Sequence, residues 1–257
     1  MISKRYDGCL ICTDMDGTLL TTDKRLTPEN AQAIKYFQDN GGKFTVATGR
    51  YWDFVNDYKD VFVPNTHVIS LNGCVISEVQ TEKHLWHTQM DKSCFDDAQY
   101  IFESCPQLTM LLVNTTNGFE AIKRSDIQRL YELEINERNI IYKMTYMCLP
   151  GHTLDEHTQK FFSQFSKGKY NCERSWPGGM EYYPLDGGKH NAVMWLKENT
   201  RSDKLICIGD FENDISMLRC ADMGVAVSNA LECVKAAADF ITVSNDENAI
   251  AKVIESL

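Results

Sequence analysis

The chain has 257 residues, of which 43% are hydrophobic and 24% are charged. These proportions are typical of a globular protein, and the length suffices for one large α/β domain or for a core domain with an insertion. The formal net charge of −10 argues against nucleic acid or an anionic membrane surface as the main partner, because both bind clustered Lys and Arg. No apolar stretch has membrane-spanning length and the first residues lack the apolar segment of a secretory signal, so we expect a cytoplasmic protein.

The first predicted element is a buried strand that ends in two carboxylates. Asp14 and Asp16 directly follow the apolar run from Cys9 to Cys12, and Gly17 then permits a sharp turn. Alternate residues of an extended strand point the same way, so both carboxylates are expected on one face of the strand tip. Two like charges so close together repel each other, which predicts a bound cation, a shared proton or both.

Helices and strands then alternate. Thr27 and Pro28 have the residue types of an N-cap and a first helical position. The pattern predicts, in order, a helix from there to residue 40, a strand over 44–47, a helix over 51–59 and a strand over 67–71. Such alternation predicts a parallel, doubly wound sheet, in which ligands bind beyond the carboxyl ends of the strands. Thr48 and Asn72, like Asp14, follow strand ends, so we expect these three segments to form one site.

The pattern changes between residues 84 and 184. It predicts a helix over 93–104, a hairpin over 108–123, a helix over 125–135, a strand over 140–147, a helix over 154–165, and strands over 169–176 and 180–184. Paired strands joined by turns indicate an antiparallel sheet backed by helices. We therefore expect two domains: a core of residues 1–83 and 185–257, and an inserted α/β cap domain of residues 84–184.

The α/β pattern resumes after the insertion. Lys189 precedes a predicted helix over 191–197, a strand over 205–208 ends in Gly209 and Asp210, and Asn213 and Asp214 begin the next helix. The remaining predicted elements are a strand over 224–227, a helix over 232–237, a strand over 240–243 and a helix from residue 248.

Four motifs occur in a defined order. They are Asp-x-Asp-Gly-Thr at 14–18, Thr-Gly-Arg at 48–50, a lysine at 189 after the insertion, and Gly-Asp-x-x-Asn-Asp at 209–214. This arrangement resembles the haloacid dehalogenase superfamily of hydrolases, and within it the Cof-type sugar-phosphatase-like subgroup, which has a large C2-type cap between the second and third motifs. The resemblance covers essentially the whole chain and implies a Rossmann-like doubly wound core with an inserted α+β cap domain. One departure is His190, which follows the motif lysine where small residues are usual.

The resemblance implies a role for each motif residue. It implies that Asp14 is the nucleophile and that Asp16 is the acid–base group, which would need a pKa raised toward neutrality. Thr48 and Lys189 are implied to bind the phosphoryl oxygens and to take part in catalysis. Further implied substrate-binding residues are Gly17, Gly49, Arg50, Asn72 and Asn213.

The implied cofactor is Mg²⁺. Its ligands would be a carboxylate oxygen of Asp14, the backbone carbonyl of Asp16, and Asp210. Asp214 resembles the family's second acidic position, which supports the water ligands of the metal or orients Lys189.

The sequence therefore predicts a Mg²⁺-dependent phosphatase that hydrolyses small phosphomonoesters, such as sugar, polyol or cofactor phosphates, through an aspartyl-phosphate. The alternatives are a phosphomutase acting on a sugar phosphate and a non-catalytic protein that binds a phosphorylated metabolite. The segment Thr48-Gly49-Arg50 favours hydrolysis over the first alternative, as the family resemblance implies. The presence of both Asp14 and Asp16 argues against the second, because a protein that only binds needs no acid–base group.

Overall fold

The computed structural model describes residues 4–81 and 83–257, which form two compact units. The core unit comprises Met1–Trp86 and Gly188–Leu257, and the inserted unit comprises His87–Gly187. The bounds of the inserted unit are thus 87 and 187, where the sequence pattern predicts 84 and 184. Among the described residues, no helix combines the length and the apolar character needed to cross a bilayer.

The first part of the core unit begins with a strand and a capped helix. In order, its elements are β1 Cys9–Thr13, α1 Pro28–Asp39, β2 Lys43–Val46, a 3-10 helix Trp52–Tyr58, β3 Val68–Ser70, a 3-10 turn Leu71–Gly73, β4 Val75–Ser77 and β5 His84–His87. Thr27 caps α1, since its Oγ1 accepts the Asn30 N–H at 3.2 Å, and Pro28 follows it as predicted. The segment predicted as a helix over 51–59 is helical but of the 3-10 type.

The inserted unit is an antiparallel sheet backed by helices, as predicted. Its elements are α2 Cys94–Ser104, β6 Met110–Thr115, β7 Gly118–Lys123, a 3-10 helix Arg124–Glu132, β8 Ile141–Met147, α3 Glu156–Phe165, β9 Tyr170–Glu173 and β10 Gly179–Pro184. The strand order is β7-β6-β8-β10-β9. Buried side chains of β6 and β8, such as Leu111 and Tyr146, form one hydrophobic cluster with Ile101 of α2 and Phe162 of α3. One face of this sheet therefore packs on its own helices.

The second part of the core unit returns to alternating helices and strands. Its elements are α4 Lys189–Asn199, β11 Lys204–Gly209, a 3-10 turn Glu212–Asp214, α5 Ile215–Cys220, β12 Met223–Ala226, α6 Glu232–Lys235, β13 Phe240–Ile241, a 3-10 turn Asn245–Glu247 and α7 Ala249–Glu255. The helix α4 begins at Lys189, two residues before the predicted start, so the motif lysine is its first residue.

The core unit contains a five-stranded parallel sheet with the order β13-β12-β11-β1-β2. The strand β1 pairs in parallel with both neighbours, and Thr13 lies opposite Ile208 of β11 and Val46 of β2. The side chains of Leu10 and Ile11, which point to opposite faces, are fully buried, as expected for a sheet covered on both sides. The parallel sheet is therefore as predicted, and the carboxyl ends of β11, β1 and β2 are adjacent.

The strand predicted over 67–71 does not belong to this parallel sheet. The observed strand β3 is shorter and forms a separate sheet of order β3-β4-β5, in which Val68 pairs with Ser77 in antiparallel fashion. An isolated parallel bridge between Ala47 and Ile69 connects β3 to the segment after β2. The strand ends early because Leu71, like the two residues after it, has a positive φ. The chain then turns back on itself as the hairpin to β4.

Candidate active site

The carboxyl ends of three adjacent parallel strands bring the predicted site residues together. Asp14 follows β1, and its backbone N–H donates to the Ile208 carbonyl of β11 at 2.9 Å. Asp210 directly follows β11, and Thr48 lies just beyond β2. Because neighbouring parallel strands end at the same edge of a sheet, the residues that follow them meet there. The residues that follow β11, β1 and β2 therefore lie at one edge of the parallel sheet, where the sequence predicts a site.

Lys189 is a buried cation held between two carboxylates. Its side chain is fully buried, and its Nζ donates to Oδ1 of Asp14 at 2.5 Å and to Oδ1 of Asp214 at 2.6 Å. A buried ammonium group needs such partners, since an unpaired charge in the interior is costly. Burial lowers the pKa of Lys189, but the charges of Asp14 and Asp214 outweigh burial and raise the pKa above its ordinary value. Lys189 is therefore a permanent positive charge at this site.

Asp214 connects Lys189 to the loop that follows β11. Its Oδ1 accepts from Lys189, and its Oδ2 accepts the backbone N–H groups of Asp210 at 2.9 Å and Phe211 at 3.2 Å. The carboxylate is fully buried. Of the two roles that the sequence leaves open for Asp214, these contacts favour the orientation of Lys189.

Three acidic side chains form a cluster that fits a divalent cation. Asp14, Asp210 and Asp214 each offer one carboxylate oxygen, and these oxygens all lie within 4.8 Å of one another. Burial raises the pKa of Asp14 well above its ordinary value, with Lys189 opposing and the other two acids adding to the rise. Burial and the charge of Asp214 likewise raise the pKa of Asp210 to about 7. Clustered carboxylate oxygens are hard donors of the kind that Mg²⁺ prefers.

The turn after Asp16 packs closely on Asp210. Thr18 donates from Oγ1 to Oδ1 of Asp210 at 2.7 Å. Gly17 has a φ of +80°, and a Cβ there would lie 2.6 Å from Oδ2 of Asp210, so this position requires glycine. Thr18 is a site residue that the sequence analysis did not name. The sequence feature that could have identified Thr18 as a site residue is its position in the Asp-x-Asp-Gly-Thr motif.

Asp16 contacts two cations and lies outside the cluster of three acids. Its carboxylate accepts from Nε and Nη2 of Arg50, each at 2.6 Å, and from Nζ of Lys24 at 2.5 Å. Burial raises the pKa of Asp16, but the hydrogen bonds and charges of Arg50 and Lys24 outweigh it and lower the pKa below its ordinary value. The expected rise toward neutrality is therefore wrong for this arrangement. Lys24 is a second missed residue, and its polar stretch of sequence gave no signal for it.

The remaining predicted substrate-side residues also lie in the core unit. Thr48 is buried, and its Oγ1 accepts the Arg50 backbone N–H at 3.2 Å. Asn72 is fully buried; its N–H donates to the Thr48 carbonyl at 2.9 Å, and its Oδ1 accepts from Nδ2 of Asn213 at 3.2 Å. Gly49 lies at the bend between Thr48 and Arg50. These contacts connect the predicted residues, and their roles toward a substrate remain predictions.

Comparisons with known proteins agree with this geometry. Residues 11–254 match the family model of haloacid dehalogenase-like hydrolases. The chain is 27% identical over 252 residues to the 5-amino-6-(5-phospho-D-ribitylamino)uracil phosphatase YcsE of Bacillus subtilis, covering 95% of this chain and 94% of that protein. It is 24% identical over 274 residues to the pyridoxal phosphate phosphatase YbhA of Escherichia coli, covering 96% and 97%.

A solved structure supports the fold. The structure of a haloacid dehalogenase-like hydrolase from B. subtilis superposes with a TM-score of 0.80 at 23% identity, covering 96% of this chain and 99% of that one. The chain belongs to the haloacid dehalogenase-like hydrolases. Within this family it is a phosphoric monoester hydrolase. The resemblance that the four motifs indicate and the predicted fold class are both confirmed.

Proposed function

We propose that this chain is a cytoplasmic, Mg²⁺-dependent phosphatase that hydrolyses small phosphomonoesters through an aspartyl-phosphate at Asp14. The observation that carries the proposal is the fully buried Lys189 between Asp14 and Asp214, with Asp210 beside them. A transferring phosphoryl group is highly negative, so its transfer requires fixed cations next to the nucleophile. In this proposal Asp14 is the carboxylate nucleophile and Lys189 is a permanent positive charge. The acidic side chains are ligands for a metal cation, which adds a second positive charge.

The two curated relatives support substrates of small size. Their names give a phospho-ribitylamino-uracil compound and pyridoxal phosphate as the esters that they act on. These compounds carry their phosphate on a polyol chain or a cofactor. We therefore propose sugar, polyol and cofactor phosphates as the substrate class for this chain.

In the first proposed step, a carboxylate oxygen of Asp14 attacks the phosphorus atom. The bond between phosphorus and the ester oxygen breaks, and its electron pair passes to that oxygen, which takes a proton from the Asp16 carboxyl group. Arg50 and Lys24 lower the pKa of Asp16, and the negative charge of the bound ester opposes this effect and favours the protonated carboxyl group that the step requires. The products are the free alcohol, the Asp16 carboxylate and an acyl phosphate on Asp14. Lys189 neutralises charge on the phosphoryl group, and Thr48 is a second donor, because its Oγ1 accepts the Arg50 N–H and so keeps its own proton for a phosphoryl oxygen.

In the second step, water attacks the phosphorus atom of the acyl phosphate. Its proton passes to the Asp16 carboxylate, and the bond between phosphorus and the Asp14 oxygen breaks with its electron pair returning to Asp14. Inorganic phosphate leaves, and both aspartates return to their starting states. The two steps replace one slow displacement by two easier ones.

The cluster fits Mg²⁺, which would be held by Asp14 and Asp210 together with the backbone carbonyl of Asp16. When bound, Mg²⁺ supplies positive charge that offsets the charge of the phosphoryl oxygens. Asp214 then acts mainly through its contacts with Lys189 and the loop at Asp210.

The test is a panel of metabolite phosphates and one activated aryl phosphate, assayed for phosphate release with Mg²⁺ for the wild type and Asp14→Asn. We expect release by the wild type and its loss in the variant. No release from any ester would contradict the proposal. Phosphoryl transfer between hydroxyls of one sugar without release would instead identify a phosphomutase, and tight binding without turnover would identify a binding protein.

A further inference from the structure

The Asp16 carboxylate is held by a planar, two-point contact with Arg50. Nε of Arg50 donates to Oδ2 and Nη2 donates to Oδ1, both at 2.6 Å. Charge-assisted contacts of this kind are among the stronger hydrogen bonds in proteins. Two parallel N–H groups on a rigid guanidinium also determine the plane of the carboxylate, whereas a single ammonium group determines only a distance to one oxygen. The contact therefore specifies the direction of the Asp16 side chain.

Arg50 is itself held in place from three sides. Its Cζ lies 3.6 Å from the centroid of the Phe54 ring, so the guanidinium is in contact with the aromatic face. Its backbone N–H donates to Oγ1 of Thr48 at 3.2 Å, and its carbonyl accepts the Leu71 N–H at 2.9 Å. The guanidinium therefore has a defined position from which to orient a neighbour.

Lys24 brings positive charge close to Asp16 but does little to fix the orientation of the Asp16 carboxylate. Its Nζ donates to Oδ1 of Asp16 at 2.5 Å, an oxygen that Nη2 of Arg50 also contacts. Its side chain is 53% exposed, against 36% for Arg50. A flexible, exposed ammonium group on one oxygen leaves the carboxylate free to rotate. Of the two cations, Arg50 is the one whose geometry determines the orientation of Asp16.

We infer that Arg50 is a positioning residue that determines the orientation of the Asp16 carboxyl group, and that Phe54 holds the guanidinium in place. This inference rests on the proposed function, in which Asp16 gives its proton to the ester oxygen as the bond to phosphorus breaks. A general acid must lie within hydrogen-bond reach of the atom that it protonates. Arg50 forms and breaks no covalent bond in this step. Its effect on the reaction comes from holding the Asp16 side chain in one orientation.

A positioning role and a substrate-binding role for Arg50 make different predictions. The sequence analysis expects Arg50 to bind substrate, and loss of a binding contact would raise KM on every ester. Loss of positioning would lower kcat according to the leaving group. An alkoxide leaves only with a proton, whereas an activated aryl oxide leaves without one.

The experiment compares kcat and KM of the wild type and Arg50→Gln with Mg²⁺ present. The two substrates are p-nitrophenyl phosphate and the alkyl phosphate that the wild type hydrolyses fastest in the panel. For Arg50→Gln we expect kcat on the alkyl ester to fall about 100-fold, the lower range for general acid catalysis. On the aryl ester we expect kcat to fall less than about 5-fold, and KM on both to change less than about 3-fold.

Two further variants sharpen the comparison. Phe54→Leu removes the aromatic contact and keeps Arg50, so kcat on the alkyl ester should fall roughly 5-fold with the aryl ester nearly unchanged. Arg25→Gln is the matched control, because Arg25 is an exposed arginine next to Lys24 that pairs with exposed Asp23. It should behave as the wild type on both esters. Circular dichroism and thermal melting establish that each variant is folded.

Each outcome separates the inference from the function on which it rests. Equal loss of kcat on both esters, or a raised KM with unchanged kcat, overturns the positioning role while the wild type remains a phosphatase. If the wild type hydrolyses neither ester, the proposed function fails and the inference fails with it. A loss confined to the alkyl ester in Arg50→Gln and, more weakly, in Phe54→Leu supports the inference.

Discussion

Nζ of Lys189 and Oδ1 of Asp14 lie 2.5 Å apart, although the two residues are 175 positions apart in the chain. Lys189 is the first residue of α4 in the second part of the core unit, and Asp14 directly follows β1 in the first part, so the contact joins the two parts of that unit. The pair lies in the interior, where charges interact strongly because little water screens them. The positive charge of Lys189 therefore balances the negative charges of Asp14, the proposed nucleophile, and Asp214 before any ligand binds.

Replacing this lysine should remove activity and reduce stability. Lys189→Met leaves Asp14 and Asp214 without their shared cation, and breaking a buried pair costs about 3–5 kcal/mol. We expect kcat/KM for phosphate release to fall at least about 100-fold, because the charge of the phosphoryl group is no longer balanced. Phosphate-release assays and thermal melting measure both effects.

Lys197→Met is the control for this prediction, since Lys197 lies on the same helix and pairs with Asp222 in a more exposed contact. Its activity should remain near that of the wild type. The double variant Lys189→Met/Asp214→Asn should regain part of the lost stability and none of the activity. Full activity in a folded Lys189→Met protein would contradict the assignment.

Asp16→Asn should separate substrates by their leaving groups. The variant keeps the size of the side chain but has no proton to donate, so hydrolysis of alkyl phosphates should fall by about 100-fold or more. Hydrolysis of p-nitrophenyl phosphate should fall much less, because its leaving group needs little protonation. Initial rates on both esters provide the measurement, with the exposed neighbour Asp23→Asn as control. Equal losses on the two esters would refute the acid role.

The raised pKa of Asp210 makes stability and metal binding depend on pH. Its pKa is about 7 in the folded chain, against an ordinary value of 3.8. The folded state therefore holds this proton more tightly, which stabilises the fold below about pH 4 and ceases to do so as the pH rises through 7. One pKa unit corresponds to about 1.4 kcal/mol, so the effect is of the order of a few kcal/mol.

Thermal melting without divalent metal should show this effect as a lower Tm at pH 8.5 than at pH 5.5. Asp210→Asn should reduce that difference, because its amide does not titrate. Mg²⁺ binds ionised carboxylates, so it should raise the Tm of the wild type more at pH 8.5 than at pH 5.5. A Mg²⁺ effect of the same size at both pH values, or one that persists in Asp210→Asn, would rule out this ligand.

Gly73 is a position where a methyl group should disturb the site from a distance. A Cβ there would lie 2.2 Å from the Gly188 carbonyl oxygen and 2.8 Å from the Lys189 backbone nitrogen, and its φ is +82°. Gly73→Ala should therefore displace the start of α4, which carries Lys189. We expect a loss of about 2–4 kcal/mol in stability and a fall in kcat of about tenfold or more.

Gly151→Ala is the matched control for this substitution. Gly151 has a similar φ of +79°, but a Cβ there has no described atom within 4 Å. Its replacement should cost about 1 kcal/mol for the backbone conformation alone and leave kcat unchanged. Thermal melting and phosphate release distinguish the two variants, and equal behaviour would mean that the contact with Gly188 is unimportant.

Local sequence patterns determined the order and type of most elements. The Thr27-Pro28 cap predicted the start of α1, and the apolar run before Asp14 predicted β1, because capping and burial depend on residues close in the chain. Parallel pairing then explains why Asp14 and Asp210 meet, since strand ends of one sheet share an edge. The motif residues could be found by these rules together with their order.

The partners of individual side chains were decided only by the tertiary structure. The sequence suggested that Asp16 would have a raised pKa beside Asp14, whereas Arg50 and Lys24 surround its carboxylate and lower the pKa. It also placed residues 67–71 in the parallel sheet, whereas β3 pairs mainly with β4 in a separate sheet and meets the segment after β2 through a parallel bridge between Ala47 and Ile69. Propensity and capping act over a few residues, but a charge responds to whichever groups the whole fold brings within a few ångströms. The sequence motifs could therefore predict which residues form the candidate site, but they could not predict the pKa of Asp16, which depends on partners that only the tertiary structure brings together.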